Sequence, residues 1–286
     1  MTGKEKSART MVKVEPILRC PHCRQALEII EFKLICKNHH TFDMAKQGYV
    51  NLVTHPVKTQ YDRKLFMARR HIIMKSSLYI QLHQKIAGII EERVDPADRV
   101  FVLDAGCGEG SHLQKILGAC NNEALMGVGI DLSKEGVRMA ASNFKQSSWF
   151  VGDLAATPFR GESFHVILNI LSPANYKEFK RLSAPGSVVI KVVPRGNYLK
   201  ELREAFYMDT AKEEYKNDHI ISLFKKHFHL VDHIQMNYTK KLNSDELENL
   251  VSMTPLTWNL TEDATASFIE QGPRDITVEL DILVGM

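Results

Sequence analysis

Residues Arg99–His112 read RVFVLDAGCGEGSH, an apolar run that stops on three glycines spaced at every second position. A short continuous apolar run bounded by a turn signal is a fully buried strand. The glycines let the backbone turn tightly and approach a ligand closely. Asp104 sits in the run, and a helical pattern follows over His112–Cys120. The same rhythm repeats. Strands are predicted at Ala124–Asp131, Ser148–Asp153, Phe164–Ile170 and Ser187–Val193, with helices at Ser133–Phe144 and Asn175–Leu182. Alternating strands and helices require an α/β fold with a mostly parallel sheet covered on both faces. The tail predicts a helix at Tyr215–Phe228, a strand near Leu230–Tyr238, helices at Ser244–Met253 and Ala264–Gln271, and a last strand at Asp275–Val284. That final pair of strands would close the sheet antiparallel at its edge.

The first hundred residues have a different character. Apolar residues at helical spacing from Asp62 to Val94 predict two helices broken at Ser76–Ser77. Residues 1–75 carry fifteen Lys/Arg against six Asp/Glu, while the remainder carries twenty-two against twenty-eight. A basic front on an acidic rear points to a polyanionic partner for the front. No apolar run is long enough to span a bilayer. The start, MTGKEKSARTMVKVEP, lacks the apolar stretch of a secretory signal. Three of five cysteines crowd into one short stretch, which does not suggest a disulfide framework, so a cytoplasmic location is expected.

That stretch has the spacing Cys20-x2-Cys23-x12-Cys36-x3-His40, with a β-hairpin predicted between the two halves at Leu27–Cys36. Two knuckles held apart by a hairpin can converge on one tetrahedral ion. Three thiolates and one imidazole make a closed structural zinc set, leaving no open position for catalysis. His39 competes for the fourth place and His22 lies inside the first knuckle, but the x3 spacing lets the His40 imidazole turn back past the knuckle, so His40 is the expected ligand.

The turn after Asp104 does not fit a dinucleotide fingerprint, because the third glycine of G-x-G-x-x-G is replaced by Ser111. Asp104, Gly106, Gly108 and Gly110 instead resemble motif I of class I S-adenosylmethionine (SAM) methyltransferases. Asp131, twenty-one residues after Gly110 and followed by Leu132, ends the second strand, where a carboxylate can accept both ribose hydroxyls. Asp153 and Leu154 follow the third strand, where that family reads the adenine edge.

Taken together, CPHC, LICKNHHTFDMAKQGYVNL, MARR, VLDAGCGEG, GIDLSKEGV and LVSMTPLTWN resemble the zinc-containing 23S rRNA (guanine-N1)-methyltransferases from Cys20 to the end of the chain. The segment NILSPANYKEFKRL is similar to the Gram-positive, tylosin-resistance-like branch. The resemblance implies a seven-stranded, mostly parallel methyltransferase sheet with a small zinc-binding β module in front. It divides the chain into an RNA-recognition module (1–60), a helical connector (61–98) and a methyltransferase domain (99–286). It implies SAM and one structural zinc as cofactors, a hairpin loop of domain II of 23S rRNA as partner, a homodimer, and a link to macrolide resistance. Zinc ligands carry over to Cys20, Cys23, Cys36 and His40, and cofactor contacts to Tyr79, Gly108, Glu109 and Tyr198. A small-molecule methyltransferase and a non-catalytic zinc RNA-binding protein are the alternatives.

Guanine N1 carries a proton at neutral pH, so a proton acceptor or a group that stabilises the developing O6 charge is required. Asn169, at the end of the fourth strand, is expected to hold the guanine edge, but an amide is no base, and the acceptor is left unassigned. Reaching N1 needs an unpaired base. Arg19, Arg24, Lys33, Lys37 and Lys46, together with Arg63, Lys64, Arg69 and Arg70, would grip phosphates. Phe42 and Tyr49 would stack on bases, with core packing the favoured alternative for Phe42.

Overall fold

The computed structural model describes residues 2–56, 61–94, 99–207, 216–258 and 260–286. The expected boundaries at residues 60 and 98, and the expected helix start at Tyr215, lie outside the described residues.

The chain opens with a helix the patterning did not predict, α1 (Gly3–Val12), started by a capping box between Thr2 and Glu5. A hairpin of β1 (Leu27–Ile30) and β2 (Lys33–Cys36), extended by β3 (Thr41–Asp43), forms a small antiparallel sheet. Next come β4 (Val50–Asn51), α2 (Arg63–Met74) and α3 (Ile80–Arg93). The break between the two helices falls at the expected serines. Ser76 Oγ donates to Ile72 O and accepts from Leu78 N–H, and Ser77 takes a φ of 60°. Those competing hydrogen bonds end one helix and begin the next.

The α/β core then runs β5 (Val100–Ala105), α4 (Ser111–Ala119), β6 (Leu125–Asp131), α5 (Lys134–Asn143), β7 (Ser148–Val151), β8 (Phe164–Ile170), α6 (Tyr176–Leu182) and β9 (Ser183–Pro194). The tail adds α7 (Lys200–Tyr207), α8 (Asp218–His227), β10 (Leu230–Leu242), α9 (Ser244–Met253), α10 (Glu262–Glu270) and β11 (Arg274–Gly285). The strand order is β10-β11-β9-β8-β5-β6-β7-β4. β4 through β9 pair parallel, while β10 and β11 close the far edge antiparallel, as the tail predicted. Seven of these eight strands answer to the expected sheet. The eighth is β4, donated by the cysteine-rich segment; two residues are too short for a visible period.

Side chains alternate along β5. Val100 and Val102 face a core shared with α2, α3, α4, α9 and α10; Phe101 and Leu103 face a second core shared with α1, the hairpin, α6 and α8. The front segment therefore covers part of one sheet face. It is spliced there by backbone bonds: Arg19 N–H to Pro158 O (2.8 Å), Arg160 N–H to Ile17 O (2.8 Å) and Leu52 N–H to Val151 O (2.8 Å). Among the described residues no helix is long and apolar enough to cross a membrane.

Candidate zinc centre and cofactor crevice

The hairpin brings the two halves of the cysteine cluster together. The ligand atoms of Cys20, Cys23, Cys36 and His40 all lie within 4.8 Å of one another. His40 Nδ1 is 3.5 Å from Cys20 Sγ and 3.4 Å from Cys36 Sγ, and Cys23 Sγ is 3.6 Å from Cys36 Sγ. A zinc tetrahedron with ordinary Zn–S and Zn–N bonds has edges of roughly 3.5–3.8 Å, so this donor set fits the ion. Each knuckle closes with a residue in the left-handed region, Arg24 (φ 62°) and His39 (φ 61°). That turn leaves His39 exposed and carries His40 inward. The Gln25 N–H, foremost, holds the Cys23 thiol down at about 6, favouring the thiolate a metal needs. His22 is not part of the set. Its ring stacks on Phe42 at 5.9 Å.

The glycine turn lies at the C-terminal end of β5. Gly110 has φ 83°, and a Cβ there would sit 2.5 Å from the Trp149 ring, so no other residue fits. Gly106 has φ 84°, and a Cβ there would meet Ser172 Oγ at 2.0 Å. The turn after β8 thus rests directly on the glycine turn. Asp131 accepts Gly108 N–H (2.8 Å) and Ser133 N–H (2.7 Å), which fixes the carboxylate against the glycine turn. Gly152 N–H reaches Asp131 O at 3.0 Å, bringing in the loop that carries Asp153 and Leu154. Asp153 accepts Ala155 N–H at 2.8 Å. Leu154 Cδ1 lies 3.8 Å from the Cβ position of Gly106, and Leu132 continues the chain from Asp131, half-buried.

Three carboxyls converge here. Burial pushes Asp104 up to about 7, and raises Glu109 and Asp131 by the same cause. Arg69 of α2 opposes the rise at all three. Glu109 is fully buried; its Oε2 accepts Ser111 Oγ–H at 2.5 Å, while Oε1 has no hydrogen-bond partner. Three buried acids facing one guanidinium, with one carboxylate oxygen unpartnered, fit the sulfonium and ammonium charges of SAM. Tyr79 and Tyr198, far apart in sequence, meet at the same place. Their hydroxyls are 2.6 Å apart, and the Tyr79 ring stands edge-on to His112 at 5.4 Å. His112 Nδ1 in turn bonds His83 Nε2 at 2.9 Å, a contact between helices that carries no local signal.

Asn169 sits fully buried on β8, and its amide is in use. Nδ2 donates to Ala105 O (2.7 Å) and Pro173 O (3.1 Å), and Oδ1 accepts from Lys191 Nζ (2.5 Å). Lys191 also donates to Ser172 O. Burial brings Lys191 down to about 8. A lysine in a β strand, twenty-two residues from Asn169, carried no local signal of this role. Three basic or aromatic residues expected to face RNA turn inward. Tyr49 is buried at 5% exposure, Arg69 faces the acids, and Arg70 lies over the Phe144 ring at 5.7 Å. Helix geometry is the reason for the arginines: Arg69 and Arg70 follow Phe66 and precede Ile73 on the buried side of α2.

Comparison with known proteins agrees with this geometry. Residues 18–61 match a zinc-ribbon family described as "RlmA, N-terminal", and residues 102–186 match a methyltransferase domain family. YxjB of Bacillus subtilis (strain 168), named provisionally as a 23S rRNA (guanine-N(1)-)-methyltransferase, is 40% identical over 273 residues, covering 94% of this chain and 97% of its own. The 23S rRNA (guanine(748)-N(1))-methyltransferase of Streptomyces fradiae is 32% identical over 266 residues, covering 93% and 94%. The fold is that of a class I SAM methyltransferase, its cofactors are SAM and a structural zinc ion, and the chain belongs to the zinc-containing 23S rRNA (guanine-N1)-methyltransferase family.

Proposed function

We propose that this chain transfers a methyl group from SAM to N1 of a guanine in 23S rRNA. One observation carries the reading: a closed Cys3His cluster in a basic segment is spliced onto a sheet whose glycine turn gathers three buried carboxyls around Arg69. The reading treats residues 1–60 as the RNA-recognition module, 61–98 as a connector and 99–286 as the methyltransferase domain. It extends to a hairpin loop of domain II as target, a homodimer as the working form, the cytoplasm as its place and macrolide resistance as a consequence. Resemblance to the family supports those extensions.

Cys20, Cys23, Cys36 and His40 hold the zinc. Gly106, Gly108, Glu109 and Asp104 hold the methionine end of SAM, Asp131 and Leu132 the ribose, Asp153 and Leu154 the adenine, and Tyr79 and Tyr198 the flank. When bound, SAM supplies a methyl carbon on a sulfonium, which passes to nitrogen while sulfur keeps the C–S electron pair. The residues around it align donor and acceptor, where most of the rate gain of such a displacement arises. Asn169 serves as a positioning residue, since its amide is spent on Lys191 and the turn at residues 171–175. Lys191 Nζ lies under that turn; its neutral amine takes the N1 proton as the nitrogen lone pair bonds to the methyl carbon. Its acidity near 8 suits a base working close to neutral pH.

Primer extension on 23S rRNA from cells with and without the gene tests the function. N1 methylation blocks Watson–Crick pairing, so a new stop one base before a loop guanine is expected. Identical stops in both strains would remove the rRNA assignment.

A further inference from the structure

An arginine-lined hollow lies where the zinc knuckle meets the core. Its volume is about 320 Å³, and Arg19, Arg24, Gln25, Arg160 and Gly161 line it. Each arginine is anchored by a backbone carbonyl on the opposite side of the seam. Arg19 Nε donates to Phe159 O (3.1 Å), Arg24 Nη1 to Thr157 O (3.2 Å), and Arg160 Nη1 to Pro16 O (3.4 Å). One N–H per guanidinium is spent on the anchor, so the rest of each fork is held in place and unspent.

Among the described residues no carboxylate lies within ion-pair distance of these three charges; the nearby Arg181 is the one closed on Glu178, at 2.6 Å. Like charges fixed together without a counterion carry a cost that an anion relieves. Arg24 follows Cys23 in the first knuckle with φ 62°, and its side chain reaches Thr157 O on the core. Arg19 and Arg24 flank the ligands Cys20 and Cys23, but none of the three guanidiniums belongs to the ligand set, and the glycine turn lies at the C-terminal end of β5. The hollow lies at the opposite end of the sheet, where residues 161–163 enter the N-terminal end of β8, a central strand.

We propose that Arg19, Arg24 and Arg160 form a subsite for a backbone phosphate of the RNA substrate. The claim rests on the rRNA reading above and adds where the RNA goes. The strand that delivers its guanine to the crevice continues down the face covered by the zinc module, and a phosphodiester locks module and core together. Guanidinium forks match phosphate oxygens bidentately, so the class of ligand follows from the donors.

The test compares the full-length, zinc-loaded protein with Arg24→Gln/Arg160→Gln, and with Lys225→Gln on α8 as a charge control. Binding to a 23S rRNA domain II transcript and to an unrelated RNA of equal length is measured across a salt series. Loss of one phosphate contact flattens the slope of log Kd against log salt by about 0.7–0.9. The double variant is expected to show that flattening with both RNAs, to weaken binding at least tenfold at low salt, and to keep its zinc content and SAM affinity. An unchanged slope, or a change matched by the control, overturns the subsite. A second arm titrates inorganic phosphate alone. Saturation by sub-millimolar phosphate that vanishes in the double variant would assign the hollow to a free anion and overturn the RNA claim. A flattened slope in a protein that leaves rRNA unmethylated would instead strike only the catalytic reading.

Discussion

Arg69 Nε lies 3.8 Å from Glu109 Oε1, and that oxygen is fully buried with no hydrogen bond. Arg69 also faces Asp104 and Asp131, so one side chain of α2 offsets the charge of the whole crevice. Removing one partner of a buried pair strands the other, at about 3 kcal/mol. Arg69→Ala should therefore lower the unfolding free energy of the SAM-free protein by about that amount. Saturating SAM should restore part of the loss, because its cationic groups occupy the same acids. Denaturant melts with and without SAM check both; equal losses in the two conditions would show that the acids do not face the cofactor.

Asp104 gives a pH dependence with a defined sign. Its folded value is raised to about 7 from an ordinary 3.8, with burial the largest cause. A raised value means stability that is present below the ordinary value and is lost as pH rises through about 7. A bound cation favours the ionised form, so SAM binding releases a proton below that pH. SAM affinity should climb by up to about tenfold per pH unit below 7 and level off above it. Calorimetry in two buffers of different ionisation enthalpy reads the proton release directly. A Kd flat across this range would rule out Asp104 as the titrating group.

Much of this site was legible because its signals are local. The glycine turn, the cysteine spacing and the strand–helix alternation each occupy a short window, and the structure places them as the windows imply. The x3 spacing favours His40 over His39, and the left-handed turn at His39 carries His40 to the other three ligands. Helix α1 had a visible signal, Thr2 three residues before Glu5, masked by a charged composition. Other features are long-range. Lys191 meets Asn169 only because β8 and β9 run parallel in a register that pairs them. The Tyr79–Tyr198 and His83–His112 contacts likewise depend on packing between distant elements. A burial pattern tells that such residues are inside; it does not name their neighbours.

Metal removal should separate the two halves unequally. A structural zinc supplies on the order of 10 kcal/mol of folding energy to its module. Cys20 and Cys36 also belong to the core on the sheet face that holds Leu27, Leu34 and Phe159. Chelation should therefore abolish RNA binding and lower the melting temperature of the whole chain, while SAM affinity changes by less than about threefold, since the crevice lies at the glycine turn. Loss of SAM binding with RNA binding intact would contradict the division of labour.

Lys191 offers the sharpest test of the chemistry. The residue is buried at 4% exposure, its Nζ donates to Asn169 Oδ1 and Ser172 O, and burial brings it down to about 8. As the N1 proton acceptor it must be neutral, so the methylation rate should rise with pH through about 8 and then level off. Lys191→Met should cost about 10²–10⁴-fold in kcat and erase that rise, with SAM affinity unchanged. Asn169→Ala, which removes a hydrogen bond to the ammonium form, should shift the rise to lower pH and lower kcat less. A brace that only shapes the turn at residues 171–175 would behave differently. Both variants would then lose activity while the pH profile kept its shape, and the proton acceptor would have to be sought elsewhere.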